Sequence, residues 1–449
     1  MLKCSNYNIV STSENSVLLY NTKTGFFASV KEINSDVILN GLEKPDEIQD
    51  EEIRRNLLSG GFILPIEKDE FEEIKTYSLN SINNVNNMKL TILPTESCNF
   101  NCPYCFIYNK RGLSTSKNVY NAILKLIEKS ATDNFSLKIS WFGGEPTLEK
   151  KAIINFSKRL NKLSKEKGFQ SLKYEMITNG YLLSLEDFIS YYELGVKSYQ
   201  ITLDGFGSDH NETRFLDNGD GTFDVIWENM KKIKDLKGDF EIIVRHNFLK
   251  NRYENSRKLL AEFITEFGND SRFSIYFRPV YNYSQKDNEI AKISNDICGQ
   301  KEGLFLQLDL DNRFLKQKKK SANNILNLPL PMPTPSWCDS ERNFFVIGAD
   351  GKIFKCDSYI DENDKHVGHL LDSGEIKYNN RLKLWDHKEF FEDKANSKCF
   401  KCKMLPICQG GCSRQRVEGN STCFWTESII KQVMIEHHKK ASLQKETNN

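Results

Sequence analysis

The sequence has no apolar run approaching the roughly 18 to 20 residues that a membrane helix needs, so no membrane-spanning helix is expected. Met1–Val10 shows no basic segment followed by an apolar stretch, so no secretory signal is read there, and the cytoplasm is the expected compartment. Charge of one sign is also missing. The 62 Lys and Arg are matched by 61 Asp and Glu, leaving a net charge of +1. That balance argues against nucleic acid or an anionic membrane surface as a partner. No internal repeat with a period of about 20–50 residues is found, which removes solenoids and propellers. What remains is a chain of 449 residues with 39% hydrophobic residues, long enough for two or three domains with real cores.

Cysteine is abundant, at 12 residues. In a chain expected to stay reduced, clustered cysteines are more often metal ligands than disulfides. Cys98, Cys102 and Cys105 form one group, and Cys338, Cys356, Cys399, Cys402, Cys408, Cys412 and Cys423 a second. Cys4 and Cys298 stand alone and read as small packed hydrophobes.

Residues 1–85 form one compositional unit. The runs Ser16–Tyr20 and Gly25–Val30 flank a turn and read as a hairpin. Helical stretches follow near Ile33–Leu42 and Asp50–Leu58, the second ended by Gly60 and Gly61, with a short return strand at Phe62–Pro65. Together they make a small winged-helix-like module, and Tyr77–Asn87, rich in Asn and Ser, reads as a linker. Over residues 86–320 strand-like runs alternate with helical spacing. The strands are Met88–Thr95, Leu137–Phe142, Lys173–Thr178, Ser198–Leu203, Glu241–His246 and Phe273–Val280. The helices are Ser116–Lys129, Lys150–Lys167, Ser184–Leu194, Phe223–Leu236 and Tyr253–Phe267. Six such units imply an α/β fold, a partial (β/α)6 TIM-like barrel. In barrels chemistry gathers at the C-terminal ends of the strands. Glu96-Ser97-Cys98, Gly143–Pro146, Thr178–Gly180, Asp204-Gly205 and Arg245–Asn247 fall there. Lys316, Lys318–Lys320 and prolines 329, 331, 333 and 335 mark a linker. Residues 336–425 hold the second cysteine group in a C-terminal Cys-rich domain with a hairpin-like run at Asn343–Ile347, and 426–449 read as a helix with a fraying tail.

The loop Cys98-Asn-Phe-Asn-Cys102-Pro-Tyr-Cys105 can wrap one [4Fe–4S] cube by three thiolates, leaving one iron open. A structural zinc site would normally close with a fourth Cys or His, and none stands nearby. This C-x3-C-x2-C loop resembles the signature of the radical S-adenosylmethionine (SAM) superfamily. In that family the open iron chelates SAM, and reductive cleavage releases a 5′-deoxyadenosyl radical that abstracts hydrogen from unactivated carbon. The resemblance implies SAM contacts at Gly143, Gly144 and Glu145, at Asn179 and Thr202, and at Arg245 for the carboxylate, with Tyr104 against the adenine. Local structural bonding is the competing reading of Asn179, Thr202 and Arg245.

The second cysteine group, with Gly351 ahead of Cys356, resembles the SPASM extension of radical SAM enzymes. That resemblance implies two auxiliary [4Fe–4S] clusters, three clusters in all. Cys338, Cys356 and Cys412 would bind the first auxiliary cluster, and Cys399, Cys402, Cys408 and Cys423 the second. A tetrahedral zinc site on the Cys399-x2-Cys402 pair and two later cysteines is the alternative. Some relatives, anaerobic sulfatase maturases among them, carry an eighth cysteine that Asp339–Phe345 lacks here. The first auxiliary cluster is then expected to keep an open iron for a substrate thiolate, unless Cys298 or another group reaches in. Asp357, beside Cys356, lies where sulfatase maturases carry a catalytic Asp and is a candidate general base, or else a surface turn residue.

Residues 1–85 loosely resemble the peptide-recognition element of ribosomal-peptide maturases, which takes a leader peptide as an added strand. A plain cap on the barrel is the other reading. The expected activity is therefore maturation of a leader-bearing precursor peptide by a thioether or carbon–carbon crosslink. The alternatives are oxidation of a Cys or Ser side chain to formylglycine and, from another class, a non-catalytic iron–sulfur or zinc scaffold. An electron donor such as flavodoxin or ferredoxin is implied as a partner.

Overall fold

The structure, a computed structural model, describes residues 1–13, 15–105, 107, 112–280, 294–318 and 330–446. The chain forms two compact units. One gathers Met1–Asn84, Ile325–Arg342 and Lys383–Asn449, the other Val85–Asn324 and Asn343–Leu382. Of the second cysteine group, Cys356 falls in the latter unit and the other six in the former.

The first unit begins with β1 (Leu2–Cys4), β2 (Asn8–Ser13), β3 (Ser16–Asn21) and β4 (Phe27–Lys31), then α1 (Ser35–Glu43), α2 (Glu51–Ser59), β5 (Ile63–Pro65) and α3 (Glu70–Ile82). The strands β2, β3 and β4 form an antiparallel sheet in that order, and β1 pairs with β5. Val17, Leu19, Ile38, Leu42, Leu57, Phe62 and Ile63 meet between sheet and helices. The segment read as a linker from Tyr77 is helical as far as Ile82. Asp69 caps α3 by accepting from the backbone N–H groups of Phe71 and Glu72, each at 3.1 Å. Glu70, Ile74, Ser78 and Ile82, four apart, put one buried face along it. Packing of that face outweighs the weak helix propensity of the Asn and Ser residues. The proline-rich stretch docks in the same unit: Ser78 Oγ donates to Pro335 O (2.6 Å) and Tyr20 Oη to Pro331 O. The C-terminal helix spans Glu427–Glu446, with Ile429, Ile430, Val433 and Met434 buried.

The second unit is built on β6 (Asn87–Thr95), β7 (Ser136–Gly143), β8 (Ser171–Thr178), β9 (Val196–Leu203), β10 (Glu241–Phe248) and β11 (Phe273–Pro279). They are parallel and sequential in the sheet. The intervening helices are α4 (Lys117–Ser130), α5 (Lys150–Glu166), α6 (Leu185–Tyr192), α7 (Ser208–Asn211), α8 (Phe223–Lys234) and α9 (Tyr253–Phe267). A further helix, α10 (Gln300–Lys318), packs on β11. Lys316 and Lys318, read as the start of a linker, end this helix instead; Lys319, Lys320 and Pro329 lie outside the described residues. Among the described residues the sheet stays open: the free side of β6 takes β12 (Phe344–Ile347) in parallel, followed antiparallel by β13 (Lys352–Phe354), β14 (Gly368–Leu370) and β15 (Ile376–Tyr378).

The strands β8, β10 and β11 bury alternate residues, whereas β6 is buried on both faces from Leu90 to Thr95. In β10 Ile242, Val244, His246 and Phe248 are buried while Ile243, Arg245 and Asn247 are half-exposed. One face carries the helices: Trp141 of β7 meets Phe156 of α5 at 5.5 Å. The other face is polar, with Ser140 bonded to Glu175 across β7 and β8 and Tyr276 Oη donating to Gln200 Oε1 at 2.6 Å. An open sheet with one wet, polar face is a cleft for a ligand.

Candidate active site

The cysteine loop leaves β6 at Thr95 and is pinned by backbone. Ser97 N–H donates to Thr95 Oγ1 (3.1 Å), Asn101 N–H to Phe215 O (2.9 Å), and Phe100 pairs with Leu216 as an isolated bridge. Phe100 is buried and its N–H points to Cys98 Sγ at 3.4 Å. None of the twelve cysteines is in a disulfide. Burial, then the neighbouring Glu145 and the sulfurs of Cys102 and Cys105, push the Cys98 thiol up to about 12. Three half-buried thiols within electrostatic reach of one another make a soft donor set suited to an iron–sulfur cluster. Among the described residues no three His, Cys, Asp or Glu side chains converge on a single ion. A cube of irons spreads its sulfur ligands wider than one ion does.

The end of β7 is pressed against this loop. A Cβ on Gly143 (φ 125°) would stand 2.3 Å from Thr95 O, and one on Gly144 2.1 Å from Ser97 O. Both glycines are therefore required by backbone contact. Gly144 N–H donates to Thr95 O (3.1 Å) and Glu145 N–H to Ser97 O (2.9 Å). Glu145 is fully buried. Its Oε1 accepts from Thr147 N–H (3.0 Å), Thr147 Oγ1 (2.6 Å) and Thr178 Oγ1 (2.6 Å), and its Oε2 from Asn179 N–H (2.7 Å). Burial raises its pKa, and these donors pull the other way. The side chain thus clamps the ends of β7 and β8 together.

Asn179 Nδ2 donates to Asn99 Oδ1 at 2.9 Å, tying β8 to the cysteine loop. Thr202 of β9 is paired in register with Arg245 of β10. Arg245 Nε donates to Asn247 Oδ1 at 2.9 Å, and no protein partner of its two terminal nitrogens is found among the described residues. A guanidinium held at one side and open at the fork suits a carboxylate. Tyr104 Oη donates to Asp204 Oδ2 and accepts from Arg214 Nη1 (3.0 Å) and, at 3.4 Å, from Asn247 Nδ2. The residues between Asp204 and Phe223 were not singled out by sequence beyond the strand-end pair Asp204-Gly205. The usable signal was a charged Arg214 in a short loop closed by Gly219 and Gly221.

In the first unit, burial and then the sulfurs of Cys399, Cys402 and Cys423 push the Cys408 thiol up to about 12, so these four lie within reach of one another. The turn after Cys408 is left-handed at Gln409 (φ 48°), Gly410 (81°) and Gly411 (73°). Cys338 Sγ lies 2.8 Å from Ser340 Oγ and 3.9 Å from Ser413 Oγ, next to Cys412. Ser413 Oγ donates to the buried Glu341 (2.7 Å), which also accepts from Arg416 Nη2 (2.9 Å). His387 Nδ1 is 3.1 Å from the same oxygen, without hydrogen-bond alignment. In the second unit Cys356 is half-buried and Asp357, exposed, opens a short 3₁₀ turn, Asp357–Tyr359, with its Oδ1 3.7 Å from Cys356 Sγ.

Residues 92–264 match the Radical SAM superfamily. The chain is 26% identical over 356 residues to a cysteine-type anaerobic sulfatase-maturating enzyme of Clostridium novyi (strain NT), covering 74% of this chain and 89% of the relative. It is 26% identical over 300 residues to a GTP 3′,8-cyclase of Campylobacter fetus subsp. fetus (strain 82-40), covering 64% and 85%. The solved structure of native anSMEcpe with bound AdoMet and Cp18Cys peptide superposes with a TM-score of 0.56 at 19% identity, covering 80% of this chain and 98% of that one, and so shares the fold. No described helix is long and apolar enough to cross a membrane.

Proposed function

We propose that this radical SAM enzyme matures a peptide, abstracting a hydrogen from a leader-bearing precursor to form a thioether or carbon–carbon crosslink. The N-terminal module carries this reading. Among the described residues its β4 pairs with β3 alone, which leaves an edge where an extended leader can add as a strand. The family implies SAM and a [4Fe–4S] cluster, and the residues present fit both. Cys98, Cys102 and Cys105 would hold the cluster, and the open fork of Arg245 the SAM carboxylate. Gly143, Gly144, Asn179, Thr202 and Tyr104 would shape the rest of the pocket, with Glu145 locking two of its walls. When bound, the pair supplies a 5′-deoxyadenosyl radical. The polar sheet face would hold the peptide, and the apolar helix face keeps water from the strands behind it.

Two auxiliary clusters complete the reading, on Cys338, Cys356 and Cys412 and on Cys399, Cys402, Cys408 and Cys423. With no cysteine in Asp339–Phe345, the first of them would keep an iron for a substrate thiolate. Formylglycine formation is the second reading. It is favoured by the 26% identity to a sulfatase-maturating enzyme and by Asp357, an exposed candidate base beside Cys356.

Anaerobic turnover with SAM, dithionite and Cys-containing precursor peptides tests both. Loss of two hydrogens with the sulfur kept supports the crosslink; loss of two hydrogens together with exchange of sulfur for oxygen supports formylglycine. Iron analysis is expected to give about twelve irons per chain, falling to about eight in the Cys98→Ala/Cys102→Ala/Cys105→Ala variant. About four in the wild type, all lost in the variant, defeats the auxiliary clusters. Full iron without SAM cleavage defeats the enzyme reading.

A further inference from the structure

Arg214 is a buried cation with no carboxylate in direct ion-pair contact among the described residues; Asp204 is linked to it through Tyr104 Oη. The arginine is 9% exposed, its Nε has no hydrogen-bond partner, and Asp204 Oδ1, also buried, has none either. Its guanidinium lies over the Phe100 ring at 5.5 Å and donates to Tyr104 Oη at 3.0 Å. Phe100 and Tyr104 both belong to the cysteine loop. The backbone beside Arg214 is fixed independently. Asp204 N–H donates to His210 Nδ1 (3.2 Å), which makes Nε2 the donor to Thr222 Oγ1 (3.1 Å), and Thr222 Oγ1 donates to Arg214 O (2.8 Å). Burial keeps that histidine neutral. Phe215 and Leu216 then pin Asn101 and Phe100. A charged side chain is held rigidly at the loop, with much of its hydrogen-bonding capacity unused.

An unpaired buried charge is costly. Here burial opposes the charged guanidinium, and Tyr104, the Cys102 sulfur and Asp204 favour it. A cluster held by three thiolates is anionic, and each electron it accepts adds negative charge. A fixed cation nearby in a low-dielectric setting favours the reduced form. We propose that Arg214 is a positioning residue for the cluster on Cys98, Cys102 and Cys105, setting its reduction potential by charge while Tyr104 and Phe100 hold it in place.

The inference rests on the radical SAM reading of the loop. It is tested in the full-length reconstituted protein by redox titration followed by EPR, on the reduced-cluster signal that SAM perturbs. Arg214→Gln should shift that midpoint to more negative potential, Arg214→Lys should stay near wild type, and Tyr104→Phe should fall between them, at equal iron content. Unchanged potentials in Arg214→Gln and Tyr104→Phe overturn the proposal, as does loss of iron in both Arg214 variants with no shift in what remains, which marks a purely structural role. A wild type with no SAM-sensitive cluster signal overturns the loop reading, and this inference with it.

Discussion

The cysteine loop at residues 98–105 and the cysteine stretch at 397–425 present thiols of the same kind in opposite settings. Around the loop the support is polar and dense: a carboxylate with four donors, an Asn–Asn bond to β8, a Tyr–Asp–Arg network and two glycines set against backbone. All of it hangs from parallel strands with buried cores. The 397–425 stretch has only short helical turns, Ser397–Phe400, Leu405–Cys408 and Ser413–Val417, joined by a left-handed run at 409–411. Its packing is aromatic, with Phe390, Phe391 and Leu405 against Tyr7 and Ile74. One donor set is prebuilt by protein. The other has little regular structure of its own and, on the proposed reading, would lean on its cluster as small metal domains do.

Iron removal breaks this contrast most directly. On the proposed two-auxiliary-cluster reading, anaerobic chelation should raise amide exchange across 397–425 by about 100-fold or more, since metal binding there would supply folding energy. Residues 143–147 and 178–181 should keep their protection. Equal opening of both regions, read by hydrogen-exchange mass spectrometry, would show the loop to be no more prebuilt than the stretch.

The next largest effect is expected from Gly144→Ala. The added methyl meets Ser97 O at 2.1 Å, and backbone cannot yield as a side-chain tip can. A cost of about 3 kcal/mol is expected, with iron lost from the 98–105 site and the other irons retained. Iron counts matching wild type would mean the loop tolerates displacement.

The two regions also differed in how far they could be read from sequence. All six central strands announced themselves by apolar runs, continuous in the doubly buried β6 and alternating in β8, β10 and β11. The cysteine spacings are local, so they were legible too. Three features were hidden because they depend on distant partners. The parallel addition of β12 to β6 joins residues about 250 positions apart, which no local period records. The helix at Tyr77–Ile82 follows from a buried face and not from composition. Arg214 looks like a surface charge until Phe100 and Tyr104 fold over it. Glu145, read from the resemblance as a SAM contact, also accepts four hydrogen bonds from Thr147, Thr178 and Asn179, a clamp that no local spacing records.

The smallest predicted effect sharpens the contrast from the aromatic side. Phe391 is 5% exposed and stacks on Phe400, one residue beyond Cys399, with ring centroids 6.4 Å apart. Phe391→Leu keeps the site apolar but loses ring contacts, at about 1–1.5 kcal/mol. In the iron-free protein that loss falls on a segment with little else to hold it, so the unfolding midpoint of the first unit should drop. With iron bound the metal carries the turn, and the drop should shrink to less than half. SAM cleavage, which draws on the polar loop, should stay at the wild-type rate in both. A drop of the same size with and without iron would mean that packing, not metal, organises 397–425, and the two cysteine regions would then differ in composition but not in principle.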